Sequence, residues 1–397
     1  MQDQYLNGVR VLDLTRLLPG GFCTLLLADM GAEVIKIEDP EQGDYFRSMP
    51  PIRGSQGAYF HAINGGKKSV VINLKSQEGI SVFLRLVKDF DVVVESFRPG
   101  VTAKLGIHYE QLQRSNPHLI YCSISGYGQT GPFRSRAGHD LNYVGLAGLL
   151  SINKSSETQM FLCPPLGQIS DIGAAYAAAF GISAALTARR QTLKGTYLDI
   201  SMAEVALTFG LLRFVGVEAE AGDPEADGHR NQFFGDLACY NTYRTADGEF
   251  MTLAAFEPKF WAAFLSKVNR MDLLSKHLDL GHQQELKVEL AQLFMQRSQA
   301  EWIALFADER DACCEPVLSG HNVLDQPQFR SRGMFARCEA LQLASPSGVR
   351  PPRRPLAPKY GEHTVEVLAS CGIAREEIQK LHRSGVIRAL EKGEVTN

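Results

Sequence analysis

The sequence predicts an α/β fold: a doubly wound large domain followed by a smaller α+β domain. Three observations predict it. Short apolar runs alternate with helical patterns through the first half of the chain. Several of those runs, "DVVVESF" among them, are apolar on both faces, as strands buried in a parallel sheet are. After Arg190 the texture changes to a hairpin and then a series of helical patterns.

The elements follow in order. "VRVLDLT" reads as a short strand, "LLPGG" as a turn, "FCTLLLADMG" as a helix ending at Gly31, and "EVIKIE" as a second strand. That β-α-β unit implies parallel pairing and right-handed crossovers. "SVVINLKS" is the next strand, and "QEGISVFLRLVKDF" has apolar residues at helical spacing. "DVVVESF" and "HLIYCSISGYG" complete a sheet of Rossmann-like type. "IGAAYAAAFGISAALTA", from Ile172 to Ala188, falls short of the roughly 20 residues that span a bilayer, so a buried helix is expected. "GTYLDISMAEVALTFGLLRFVG" reads as a strand running into one long apolar helix. Asp247-Gly248 in "YRTADGEFM" is a hairpin signal, and helical patterns continue to Phe306. "PSGVRPPRRPLAP" is extended, and two helices close the chain. The divisions are 1–200 for the large domain, 201–225 for a helix and acidic linker, and 226–330 for the small domain. Residues 331–397 form a tail that returns to the large domain.

Composition narrows the function. Apolar residues make up 45% and charged residues 21% of 397, as in soluble globular proteins. A net charge of -3 offers no footprint for nucleic acid or an anionic membrane. No signal peptide is read in "MQDQYLNGVR". The eight cysteines show no CxxC pair and no zinc spacing, and adjacent Cys313 and Cys314 read as buried small hydrophobes. Reduced cysteines in a cytoplasmic enzyme are expected.

Familiar catalytic motifs are missing. "LLPGG" is not GxGxxG, and the sequence has no GxxxxGK[ST], GxSxG or HExxH. Three acid–base candidates remain: His139 in "RAGHDLNYVGLAG", Asp171 in "GQISDIGAAY" and Glu257 in "LAAFEPKFW". Each has a plainer reading. A lone histidine is more often a packed or surface residue, Asp171 suits an N-cap, and Glu257 suits the first turn of a helix. Two basic turns could hold anions: Lys67, Lys68 and Lys75 around Gly65-Gly66, and Arg98 with Lys104 around Pro99-Gly100. A solvated basic loop is the alternative for each.

The motifs "GVRVLDLTRLLPGGFCTLLLADMGAEVIKIE", "KKSVVINLKSQEG", "VVVESFRPGV", "ISGYGQTGP" and "DACCEPVLS" together resemble the class III CoA-transferase family. The likeness runs through nearly the whole chain and is strongest to the racemase branch. It implies a large α/β domain, a small domain and two chains interlocked as a homodimer. It also implies acyl-CoA thioester substrates, with CoA as part of the substrate and no tightly bound cofactor or metal. Transferases of the family use one aspartate as nucleophile, at the position that Asp171 matches. Racemases share it and add a histidine in Gly-His-Asp, matched by His139, and a glutamate in Glu-Pro-x-Phe, matched by Glu257. The resemblance assigns CoA contacts to Ile72, Asn73, Leu74 and Lys75, to Ser96, Phe97 and Arg98, to Lys104, and to Gly138, Asp140 and Tyr143. The pocket wall is expected to include the small domain and the segment from Cys163 to Gly167. Where the family commonly has an arginine after "VIKIE", this chain has Asp39, and Gly167 stands where racemases have asparagine. The expected activity is racemisation or epimerisation of 2-methylacyl-CoA thioesters by 1,1-proton transfer. The alternatives are CoA transfer between carboxylic acids through an aspartyl acyl-enzyme, and a non-catalytic CoA-thioester-binding protein.

Overall fold

The computed structural model describes residues 4–153, 167–219, 235–338, 341–344 and 355–390. The chain divides into two compact units, Met1–Gly210 with Pro327–Asn397, and Leu211–Gln326. The acidic linker at 220–232, the segment from Cys163 to Leu166 and the proline-rich stretch up to Arg354 lie outside the described residues.

In the first unit β1 (Arg10–Asp13), α1 (Leu17–Asp29) and β2 (Glu33–Glu38) open the fold. A small hairpin, β3 (Ile52–Arg53) with β4 (Gln56–Gly57), and α2 (Ala58–Asn64) lead to β5 (Lys68–Ile72). Then come α3 (Gln77–Val87), β6 (Val92–Glu95), α4 (Val101–Leu105), α5 (Tyr109–Ser115) and β7 (Ile120–Ser125). They are followed by α6 (Asp140–Leu146), α7 (Ile169–Thr192), β8 (Thr196–Ser201) and α8 (Met202–Phe209).

The second unit holds α9 (Leu211–Ala219) and the hairpin β9 (Tyr240–Arg244) and β10 (Phe250–Ala254). After them come α10 (Pro258–Lys267), α11 (Gln283–Phe294), α12 (Gln299–Phe306), β11 (Cys314–Pro316) and α13 (Gly320–Asp325). The turn at Asp247-Gly248 is where the sequence places it, with Gly248 at φ 87°. The unit packs around Trp261, Phe264, Phe294 and Trp302.

The tail rejoins the first unit through α14 (Pro327–Ser331), the pair β12 (Phe335–Cys338) and β13 (Leu341–Ala344), α15 (Thr364–Ser370), α16 (Arg375–Arg383) and β14 (Ile387–Arg388).

The large sheet has the order β14-β5-β2-β1-β6-β7-β8. From β1 the chain winds outward to β2 and β5 on one side and to β6, β7 and β8 on the other, with parallel pairing throughout. Strand side chains alternate between two cores, as the period of two requires. Leu12, Ile35 and Val93 face α3, α15 and α16, whereas Val11, Val34 and Val92 face α1 and α7. The β1/β6 boundary, where the winding reverses, is the switch point at which such sheets bind ligands, beyond the carboxyl ends of the strands.

The structure corrects the sequence reading at four places. "LLPGG" is the first turn of α1, not a free turn. Proline is tolerated there because first-turn N–H groups have no intrahelical partner. Gly20 and Gly21 serve close packing: a Cβ on either would run into Thr15 or Ile63. The sheet also carries an antiparallel edge, since Ile387 pairs with Ile72 and Arg388 with Val71. A two-residue strand has too little periodicity to be read from sequence. The long apolar helix after β8 is two helices, with Gly210 between α8 and α9. Finally, α7 is 24 residues long, because it starts before the alanine run and continues through Arg189 and Arg190. By length and composition it could cross a membrane, but half of it is buried within the chain. Its Ala174, Ala178 and Ile182 belong to the core beneath the sheet.

Candidate active site

A cleft of about 510 Å³ opens at the switch point. Leu14 and Arg16 follow β1 into it, Ser96, Phe97 and Arg98 follow β6, and Ser125 and Gly126 end β7. Gly138, His139, Tyr143, Asp171 and Met202 close its other side. His139 and Asp171, far apart in sequence, therefore line one cavity.

Local structure fixes each. His139 is the N-cap residue of α6, and its N–H donates to Asn142 Oδ1 at 3.0 Å. Its ring is exposed to the cleft. Asp171 is not an N-cap as the sequence suggested: Gln168 holds that position, and Asp171 lies in the first turn of α7. The capping oxygen comes from Asp140 instead, whose Oδ1 accepts from the Ser170 N–H at 2.7 Å and the Asp171 N–H at 3.1 Å. The Ser170 hydroxyl donates to the same oxygen.

The Asp171 carboxyl is pushed up to about 7, first by burial and then by the Asp140 charge. No protein group among the described residues bonds to its oxygens. A carboxyl that titrates near neutrality can both take and return a proton, and its ionised form can act as a nucleophile.

The Gly-His-Asp glycine has a steric reason. A Cβ on Gly138 would lie 2.7 Å from Tyr143 Cε1, so any side chain would displace that ring. Tyr143 donates its hydroxyl to the Gly138 carbonyl at 2.6 Å and packs edge-on against Tyr127. Its phenol is pushed up to about 12, chiefly by burial.

The basic residues sort into two groups. Arg98 lines the cleft with Arg16, Arg134 and Arg136. No carboxylate among the described residues pairs with Arg98, Arg134 or Arg136. Arg16 pairs with Asp39, so the acid that replaces the family's usual arginine is held by a cation next to the cleft. Ile72, Asn73, Leu74 and Lys75 line a smaller neighbouring cavity that shares Leu14, Arg16 and Phe97 with the cleft. Lys104 is exposed on α4 and lines neither cavity.

The anion-binding reading of the Gly65-Gly66 turn is corrected. Lys67 is buried and bonds Asp13, the Gly21 carbonyl, Thr24 and Asn64. Lys68 pairs with Glu33 and Glu366. Both cations are already paired, Lys67 in the core and Lys68 at the surface. Arg16, Arg134 and Arg136 escaped the sequence reading. Arg16 directly follows β1, so the carboxyl-end rule applied to that strand would have found it.

In the second unit Glu257 is the exposed N-cap residue of α10, ahead of Pro258 in the first turn, and its side chain caps nothing. Cys314 is buried as expected, but Cys313 is only half-buried, with φ 48°.

CoA-transferase family III matches residues 6–364. The chain belongs to that family. It is 36% identical over 394 residues to alpha-methylacyl-CoA racemase of Homo sapiens, covering 97% of this chain and 98% of that protein. It is also 31% identical over 409 residues to succinyl-CoA:glutarate CoA-transferase of Mus musculus, covering 97% and 91%. Among solved structures, a CAIB/BAIF family protein from Brucella suis aligns with TM-score 0.77 at 28% identity, over 93% of this chain and all of that one. This family III protein is thus an enzyme whose relatives divide between isomerase and transferase.

Proposed function

We propose that this family III enzyme racemises or epimerises 2-methylacyl-CoA thioesters. The observation that carries the reading is that His139 and Asp171 line the same cleft, with the Asp171 carboxyl poised near neutrality. One group takes the α-proton and leaves an enolate thioester. The other returns a proton to the opposite face, and no atom is gained or lost. Glu257 is assigned to the same chemistry by its match to the racemase motif. Arg98, with Ser96 and Phe97, holds the thioester arm, and Ile72 to Lys75 take the nucleotide end through the adjoining cavity. The 36% identity to the human racemase is in keeping with this assignment.

The second reading is CoA transfer through Asp171, favoured by its unbonded carboxylate and by the transferase relatives. One experiment separates the two. Purified protein is incubated in D2O with one epimer of a 2-methylacyl-CoA and no second acid, beside a His139→Ala variant. Deuterium at the α-carbon that needs His139 supports the racemase. Absence of exchange, with CoA moving once a free acid is added, makes Asp171 a nucleophile.

We further infer a cytoplasmic homodimer. Exposed Tyr176 and Phe180 on α7 and Leu207 and Phe209 on α8 give the first unit an apolar surface suited to a second copy. Sedimentation equilibrium reads the stoichiometry, and a monomer would reject it.

A further inference from the structure

The proposed reaction moves protons through His139 and Asp171, and the resemblance gives Asp140 a CoA contact but no part in the proton transfer. The geometry points to Asp140 as the positioning residue of this site: its carboxylate fixes the first turn of α7, and its charge faces the carboxyl of Asp171. The inference rests on Asp171 being a reacting group.

First-turn N–H groups of an α-helix need outside acceptors. The N-cap residue of α7, Gln168, makes no side-chain cap. Asp140 takes the N–H groups of Ser170 and Asp171, the two that a capping side chain would normally satisfy. It reaches them from the first residue of α6, directly after His139. The loop on its other side is itself pinned, by Asn142 on the His139 N–H and by Tyr143 on the Gly138 carbonyl. One carboxylate therefore ties the His139 loop to the Asp171 helix. Neither cleft residue can move far from the other without breaking bonds to Asp140.

Charge adds a second effect. An anion is favoured at a helix N-terminus. The same anion opposes a second negative charge on Asp171, where it acts beside the larger effect of burial. Among the described residues, the other ionisable groups lining the cleft with Asp171 are His139 and Tyr143 on the α6 side, Arg98 from the β6 loop, Arg16 after β1, Tyr45 after β2, and Arg134 and Arg136 from the loop before α6. Tyr143 stays protonated near neutrality and the arginines stay charged, so they offer a steady background. Asparagine or serine at position 140 would still cap α7 but would leave Asp171 ionised at lower pH.

The test compares Asp140→Asn and Asp140→Ser, which keep an oxygen acceptor and drop the charge, with Asp140→Ala, which drops both. The Asp171 carboxyl is followed by NMR of carboxyl-13C aspartate, assigned with Asp171→Asn. The pH profile of α-proton exchange is measured alongside. In the uncharged caps the Asp171 midpoint should fall from about 7 toward the ordinary carboxylate range and stop short of it, because burial is unchanged. The acidic limb of exchange should be displaced in step, and kcat should fall less than it does in Asp140→Ala. Asp140→Ala should lose about 10²-fold in kcat at every pH, as expected when reacting groups drift by an ångström. An unmoved Asp171 midpoint in both uncharged variants, or parent-like kcat in Asp140→Ala, overturns the assignment. Lower melting temperature with an unmoved midpoint does so too, since it marks a purely structural residue. If the parent exchanges no α-proton but the midpoint still moves, the racemase reading fails and the role of Asp140 stands.

Discussion

At the scale of single residues, burial and charge decide which groups titrate where. Glu95 ends β6 and is buried, bonding the Phe97 N–H and the Ser123 hydroxyl. Burial is the largest cause that pushes its carboxyl up to about 7 from 4.5. The folded chain thus holds this proton more tightly than the unfolded chain does. The stability it contributes is complete below about pH 4.5 and lost as pH rises to about 7. Glu95→Gln should flatten that slope and stabilise the neutral protein by roughly 1–3 kcal/mol, read from denaturant melts between pH 5 and pH 8. Asp13 behaves oppositely. Burial raises its pKa, but Lys36, Lys67 and two threonine hydroxyls outweigh that and hold it at about 2. Its stability is present above pH 3.8 and lost as pH falls through about 2. Asp13→Ala strips the buried Lys67 ammonium of its carboxylate, while Lys36 keeps Asp44, and should cost about 3–5 kcal/mol, measured by the same melts.

At the scale of elements, the approach of loop to helix is set by a few small residues. Gly138→Ala puts a methyl group into Tyr143, so the ring and the His139 loop must shift together. The expected result is a loss of about 10²-fold in exchange with a smaller fall in melting temperature. Tyr143→Phe removes only the bond to the Gly138 carbonyl and should cost about 1 kcal/mol. Much of this layer was legible. The parallel strands of the sheet, the hairpin at Asp247-Gly248 and the two closing helices follow from periodicity and turn residues. The first turn of α1 was not, because Pro and Gly signal turns until a neighbour such as Thr15 shows why glycine is needed.

At the scale of the whole molecule, the tail completes the sheet at its outer edge, beside β5. The Asn73 N–H donates to the Val386 carbonyl at 2.8 Å, and Val386 and Ile387 are buried in the core under α3. Ending the chain at Arg383 removes β14 and with it the burial of Val386 and Ile387, each worth about 1.5–3 kcal/mol. Such a truncation should lower the melting temperature and weaken CoA binding through the Ile72–Lys75 segment, checked by calorimetry with free CoA.

The sequence by itself determined the α/β class, the strand succession, the three acid–base candidates and the likeness to the family. Those features are local or nearly so: periods of two and 3.6, turn residues, and motifs read along the chain. Only the tertiary structure decided which charges are available to a ligand. Lys67, Lys68 and Arg98 look alike as basic residues beside glycine turns. Two of them are consumed by carboxylates that lie 35 to 298 positions away in the chain, the buried Asp13 among them, while Arg98 faces the cleft. The tie from Asp140 to Ser170 and Asp171 is of the same kind, spanning 30 and 31 residues. Pairing at such separations is set by how the sheet brings strand ends together, and no window along the chain contains it.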